Sequence, residues 1–175
     1  MALRTGSLGL RRCVAFALDW CVILLWGGVL FLTVYLWNEG MPERFSGPWV
    51  SQGVAFLMMT LPVILYFSLL ESRSFGATLG KRAMRLRVGT RQGTSLAFRD
   101  SLQRSLIKFT PWELGHLVAQ QSYYAGEGGV PAWLYLPMFL SMALPLWWIT
   151  ALFRRNQAPY DVFAGSVVLH EPLTS

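Results

Sequence analysis

Glu113 and His116 stand three residues apart, a spacing that puts a carboxylate and an imidazole on one helix face, where they could bind a metal or relay a proton. One such pair is an incomplete metal site. Di-metal bundles use two of them with further carboxylates, and His170 lies far along the chain. Capping by Glu113 and an interhelical hydrogen bond from His116 explain the pair more simply.

Asp19 presents a second chemical question, because it lies inside an apolar stretch, seven residues after Arg12 and on the same helix face. A carboxylate within a membrane span costs up to about 3 kcal/mol, so it must face protein or water and find a partner. Two roles are open: packing against a basic residue of another segment, or lining an ion or solute path. Arg104 and Lys108 add cations on a later amphipathic stretch.

Gly76-Ala77-Thr78-Leu79-Gly80-Lys81-Arg82 has some of the composition of a phosphate-binding loop. It is one residue short, lacks Ser or Thr after Lys81, and follows an apolar run rather than a strand. A bend where the chain leaves the membrane fits better, with Lys81 and Arg82 meeting anionic headgroups or Asp161. There is no Ser-His-Asp order, CxxC pair or glycine-rich dinucleotide motif, so the sequence supports neither an enzyme nor a cofactor. No metal site is expected.

These residues sit in a chain of 175 residues that is 54% hydrophobic and 14% charged, with a mean hydropathy of +0.41. That is too apolar for a small soluble domain. Apolar runs of about 20 residues match a hydrocarbon core of roughly 30 Å. The net charge of +6 lies between and beside those runs, which speaks for membrane topology and against nucleic-acid binding. Cys13 and Cys21 share the first run and read as small apolar side chains rather than a disulfide.

The pattern predicts spans at about 14–37, 50–70 and 131–153, with Trp37 and Trp49 flanking a short connection and Arg44 within it. The first run is longer than a secretory signal, carries Asp19 and lacks a small-residue cleavage site, so it reads as a retained span. A solvated basic loop is expected over 71–94, with Met84 to Val88 and the glycines after it forming a small β-hairpin. Over 95–109, Phe98, Leu102, Leu106 and Phe109 recur at helical spacing opposite Arg99, Gln103, Arg104 and Lys108, as in an interfacial helix. Thr110-Pro111-Trp112-Glu113 fits a capping box opening a new helix over about 110–125. If that helix crosses, there are four spans, and Arg4, Arg11, Arg12, the basic loop and Arg154-Arg155 all share the cytoplasmic side. The expected fold is thus an all-α membrane bundle, with both termini cytoplasmic and no internal repeat.

Several segments together resemble the RDD family of bacterial membrane proteins. They are Arg12-Cys13-Val14-Ala15-Phe16-Ala17-Leu18-Asp19, then Gly76 to Arg82 followed by Leu86-Arg87-Val88, Phe98-Arg99 to Arg104, and Asp161 to Val168. The likeness runs from about residue 11 to 169, within a single domain spanning 1–175. The arginine and two aspartates of the family motif fall on Arg12, Asp19 and Asp161. Tyr160 replaces a common His and Ser166 a common Thr, so no role of that His carries over. The resemblance implies a multi-pass protein of the bacterial inner membrane, with transport often proposed. Two functions follow as expectations. One is a transport or permeation component for an ion or small solute, with Arg12, Asp19, Glu113, His116 and Asp161 near a path, assembled as a homo-oligomer or with another membrane protein. The other is a non-catalytic accessory or scaffold protein that docks a partner or anionic lipid.

Overall fold

The computed structural model describes residues 5–36 and 47–170, and the expectations about Arg4, Trp37, Arg44 and the extreme termini lie outside those residues. Helix α1 (Thr5–Leu36) is followed by α2 (Pro48–Ala55), a π-helical turn (Phe56–Thr60) and α3 (Leu61–Leu70). The π turn has a covalent cause. Pro62 has no N–H to offer the Met58 carbonyl, and Trp26 Nε1 donates to that carbonyl instead at 2.9 Å. A proline in a span is thus satisfied by a neighbouring helix.

A short helix α4 (Leu79–Ala83) and strand β1 (Leu86–Thr90) come next, then the long helix α5 (Phe98–Ala125). Helix α6 (Tyr135–Arg155), helix α7 (Pro159–Phe163) and strand β2 (Ser166–His170) complete the described chain. Three helical stretches are long and apolar enough to cross a membrane: Leu8–Leu36, Pro48–Leu70 and Ala132–Arg155. Their outer faces carry exposed apolar side chains such as Leu25, Phe31, Leu57, Phe139 and Leu146, so the chain's apolar excess is turned outward. Two smaller cores hold the interior. Ile23, Val63, Ile64, Phe67 and Phe109 pack between helices, and Ala15, Leu86, Val88, Leu96 and Val168 pack beneath the strands.

Three expectations are corrected here. The hairpin pairing is different: β1 runs antiparallel to β2, with Val88 opposite Val168, and only the Gly89–Ser95 bridge and the Thr90–Thr94 turn remain of a local hairpin. The stretch 71–94 is not simply solvated, because Glu71, Ser72, Thr78, Gly80, Lys81, Leu86 and Val88 are buried against the helix ends. An extended strand with a buried alternate face finds a partner wherever one is offered, and here the distant chain end supplies it.

The third correction concerns α5. It runs unbroken through Pro111, with no helix start there, and the Thr110 hydroxyl bonds back to the Leu106 carbonyl at 3.0 Å instead of capping. Its two faces are also mixed rather than one solvated and one apolar. Ser101, Arg104, Ser105 and Phe109 are buried, while Phe98, Arg99, Gln103 and Leu106 are exposed. Arg104 turns inward because carboxylates of other elements are there to pair with it.

Candidate functional site

Where α1, the end of α3, α4, α5 and α7 converge, a continuous chain of ion pairs forms. Glu71 follows the last residue of α3 and accepts from Lys81 Nζ of α4 and from Arg104 Nη1 of α5. Arg104 turns its other edge to Asp161, with Nε at 2.9 Å and Nη2 at 2.7 Å from Oδ1. The planar guanidinium can serve two carboxylates at once, which a lysine ammonium on the same stem does less well. Asp161 Oδ2 then accepts from Arg12 Nη2 at 2.6 Å, and Arg12 Nη1 donates to the Asn156 carbonyl at 2.9 Å.

Local sequence explains why Asp161 can do this. Pro159 opens α7, and Asp161, third in that helix, accepts from the Ala158 N–H at 3.0 Å. Ser166 adds a hydroxyl to the Asp161 carbonyl at 3.3 Å. Asn156, left-handed at φ 54, ends α6 and turns its carbonyl toward Arg12. Tyr160 packs edge-on against Trp148 and lies 5.2 Å from the Arg104 guanidinium.

Asp19 belongs to a neighbouring arrangement. Its partners are neutral: Tyr66 Oη at 2.9 Å, Thr78 Oγ1 at 2.7 Å and the Gly80 N–H at 2.8 Å. The expectation of a basic partner is therefore corrected. Thr78 also caps α4 by accepting from the Lys81 N–H, so one hydroxyl ties the loop helix to α1. A Cβ on Gly80 would strike the Ala15 carbonyl, so only glycine lets α4 approach this closely.

The electrostatics follow from burial against charge. Burial would raise the Glu71 carboxyl, but Arg104 and Lys81 outweigh it and hold it well below its usual range. Asp161 is likewise pushed up by burial and brought below normal by Arg104 and Arg12. Burial pulls the Lys81 ammonium down to about 8 although Glu71 opposes it. Lys108, on the same face of α5, is lowered well below the usual lysine value by burial, with Glu71 opposing and Lys81 and Arg104 reinforcing.

Lys108 differs from the other three cations. Its Nζ lies 3.5 Å from the Phe67 ring centre, 4.6 Å from Phe16 and 5.2 Å from Phe109, and it has no ion pair among the described residues. It lines a cleft of about 660 Å³ between α1, α5 and α6, together with Arg12, Asp19, Lys81 and Arg104 at one end. Trp20, Trp112, Met142, Pro145 and Ile149 form the apolar walls.

Glu113 and His116 do share a face, with Nδ1 and Oε2 3.7 Å apart, but they sit apart from the ion-pair chain. Glu113 accepts from Gln52 Nε2 at 2.5 Å and Thr60 Oγ1 at 2.6 Å, joining α5 to α2 and the π turn. Its capping role is thus replaced by an interhelical one. His116 stacks edge-on against Trp112 and faces the cleft. No group of three or more metal-ligating side chains occurs among the described residues.

Of the residues singled out from the sequence, Arg12, Lys81, Arg104 and Asp161 come together, Asp19 lies beside them, and Glu113 and His116 form a second set. Lys81 meets Glu71 rather than Asp161, while Arg82 is exposed over the Phe75 ring at 5.4 Å. Glu71 was not foreseen, although a lone carboxylate directly after an apolar run is a readable sign. Nor were Tyr66 and Thr78.

The family model for the RDD family matches residues 7–165, which includes every member of the ion-pair chain and the Asp19 set. The chain belongs to the RDD family. The helices and the match together make it a membrane protein. No curated protein and no solved structure matches it. Within the matched range Arg12 and Asp161 form one ion pair, and Asp19 anchors the loop helix.

Proposed function

We propose that this RDD-family protein is a transport or permeation component for an ion or small solute, that the cleft between α1, α5 and α6 is its binding site, and that the solute is an anion. The observation that carries this is Lys108. Four basic side chains, Arg12, Lys81, Arg104 and Lys108, meet the three carboxylates Glu71, Asp161 and Asp19, so Lys108 has no carboxylate of its own, and an anion in the cleft would hold it in the charged form that burial opposes. Such a charge beside an apolar wall favours an anionic visitor.

The arrangement in the membrane belongs to the same reading. The 110–125 part of helix α5 (Phe98–Ala125) rises about 24 Å, and one further turn brings it close to the roughly 30 Å of a fourth crossing. Its polar groups face protein, which makes their burial tolerable. The basic end then faces the cytoplasm of a bacterial inner membrane with both termini, and exposed Arg73, Arg82, Arg85 and Arg91 meet anionic headgroups. A second copy or another membrane protein would complete a path across the bilayer. No catalytic step is assigned.

The accessory reading has its own support, because Asp19, Glu71 and Asp161 are all engaged by protein donors and act as a clamp. Proteoliposomes separate the two. Wild type is expected to pass small anions above the protein-free rate, and Lys108→Gln to reduce that flux with little change in thermal stability. Absence of flux across a panel of anions and cations would leave the clamp as a scaffold. Cysteine labelling at Gln92 and Thr174, with Cys13 and Cys21 replaced, checks the sidedness; opposite accessibility of the two positions overturns the four-crossing arrangement.

A further inference from the structure

The cleft is far larger than its charge requires. A small inorganic anion at Lys108 would occupy a minor part of about 660 Å³, a volume in the range of pockets that hold drug-sized ligands. The remainder is walled by Trp20, Trp112, Pro145 and Ile149, which gain nothing from water. Met142 and Ile149 are 70% and 48% exposed, so the wall of the cleft is continuous with the outer, bilayer-facing surface of α6.

The charged end is equally specific. Arg12, Lys81 and Arg104 are already engaged by Glu71 and Asp161, and Asp19 accepts three neutral donors. Lys108 alone faces only ring faces, which favour a cation but do not neutralise it. The site therefore calls for one net negative charge attached to an apolar body. Phosphate diesters of membrane lipids have that form, and a lipid is present wherever the cleft opens to the bilayer.

We infer that the cleft binds an anionic membrane phospholipid, its phosphate at Lys108 beside Arg12 and Arg104, and an acyl chain along Trp112, Met142, Pro145 and Ile149. This rests on the reading of the cleft as the binding site and names its ligand. The phosphate supplies the missing counter-charge, and the chain covers the apolar wall. A free phosphate would meet the first need and leave the second.

The full chain, purified in detergent and stripped of lipid, provides the test. Phosphatidylglycerol is added beside phosphatidylcholine and inorganic phosphate, with thermal unfolding and native mass spectrometry as readouts. One phosphatidylglycerol per chain should be retained and the Tm raised, with neither control matching it. Lys108→Gln should bind it roughly tenfold more weakly, the size expected for loss of one charge-assisted contact. Lys108→Arg should retain binding, and Ile149→Trp should weaken it by filling the wall, which keeps the test valid if Lys108→Gln folds poorly. Equal stabilisation by phosphatidylcholine, or by inorganic phosphate alone, overturns the inference, as does undiminished binding to Lys108→Gln. Small-anion flux in pure phosphatidylcholine liposomes without any phosphatidylglycerol preference would remove this ligand while leaving the permeation reading intact. Selective phosphatidylglycerol binding without flux would do the reverse.

Discussion

The amide N–H of Gly80 donates to Asp19 Oδ1 at 2.8 Å, across 61 residues of sequence, at a place where a Cβ on Gly80 would collide with the Ala15 carbonyl. Asp19 and the loop glycine therefore act as one unit: the carboxylate collects the donors, and the missing side chain permits the approach.

Gly80→Ala is expected to destabilise the protein by about 2 kcal/mol or more, since the obstacle is backbone and cannot rotate away. Asp19→Asn should destabilise less, because the amide can keep its oxygen on Tyr66 and Gly80 and turn its NH₂ to the Thr78 hydroxyl, which then accepts, but the stronger bonds to a charged carboxylate are lost. Thermal unfolding in detergent measures both. A Gly80→Ala variant that melts with wild type would show that α4 does not need this approach.

Arg104→Lys tests the bridging geometry. The charge is kept, but one ammonium cannot reproduce the three contacts that Arg104 makes to Glu71 and Asp161. Breaking a buried pair costs about 3–5 kcal/mol, and the conservative change should lose much of that. A melting curve close to that of wild type would mean that charge alone suffices.

Acid should loosen the same cluster. Glu71 and Asp161 are both held below their ordinary values of 4.5 and 3.8, so each contributes stability that is present above those values and lost as pH falls through the lower folded-state values. The Tm should therefore be steady near neutrality and drop below pH 4.5, and Glu71→Gln should flatten that drop from a lower starting stability. A profile unchanged by Glu71→Gln would remove Glu71 from the acid response.

Much of this could be read from residue types and spacing, and the failures share a physical origin. Three spans follow from run length alone, since hydrocarbon thickness leaves little choice. The participants Arg12, Lys81, Arg104 and Asp161 were visible as charges placed beside apolar runs, whereas their pairing depends on convergence of five separate elements. The apolar and basic positions of α5 read as two clean faces, but Arg104 and Phe109 are both buried while Phe98 and Gln103 are both exposed, because other elements cover part of each face. Strand β1 was expected to pair locally, and nothing within 84–94 signals that residues 166–170 would compete for it.

The same logic makes the region around Pro111 a decisive place to substitute. A capping box would make Thr110→Ala costly, but Thr110 is exposed and bonds to its own helix at Leu106, so its replacement should change stability little. Glu113→Ala should be the damaging change instead, roughly 1–3 kcal/mol, because it leaves the half-buried Gln52 amide without its acceptor and takes from Thr60 the acceptor of its hydroxyl. Glu113→Gln should fall between them, since Thr60 can reverse its hydroxyl and accept from the new amide. Melting temperatures for the three variants give an order, and a Thr110→Ala loss equal to that of Glu113→Ala would restore a helix start at Pro111. The ordering expected here ties Glu113 to the π turn across the bundle, which places its carboxylate in service of α2 and α5 together.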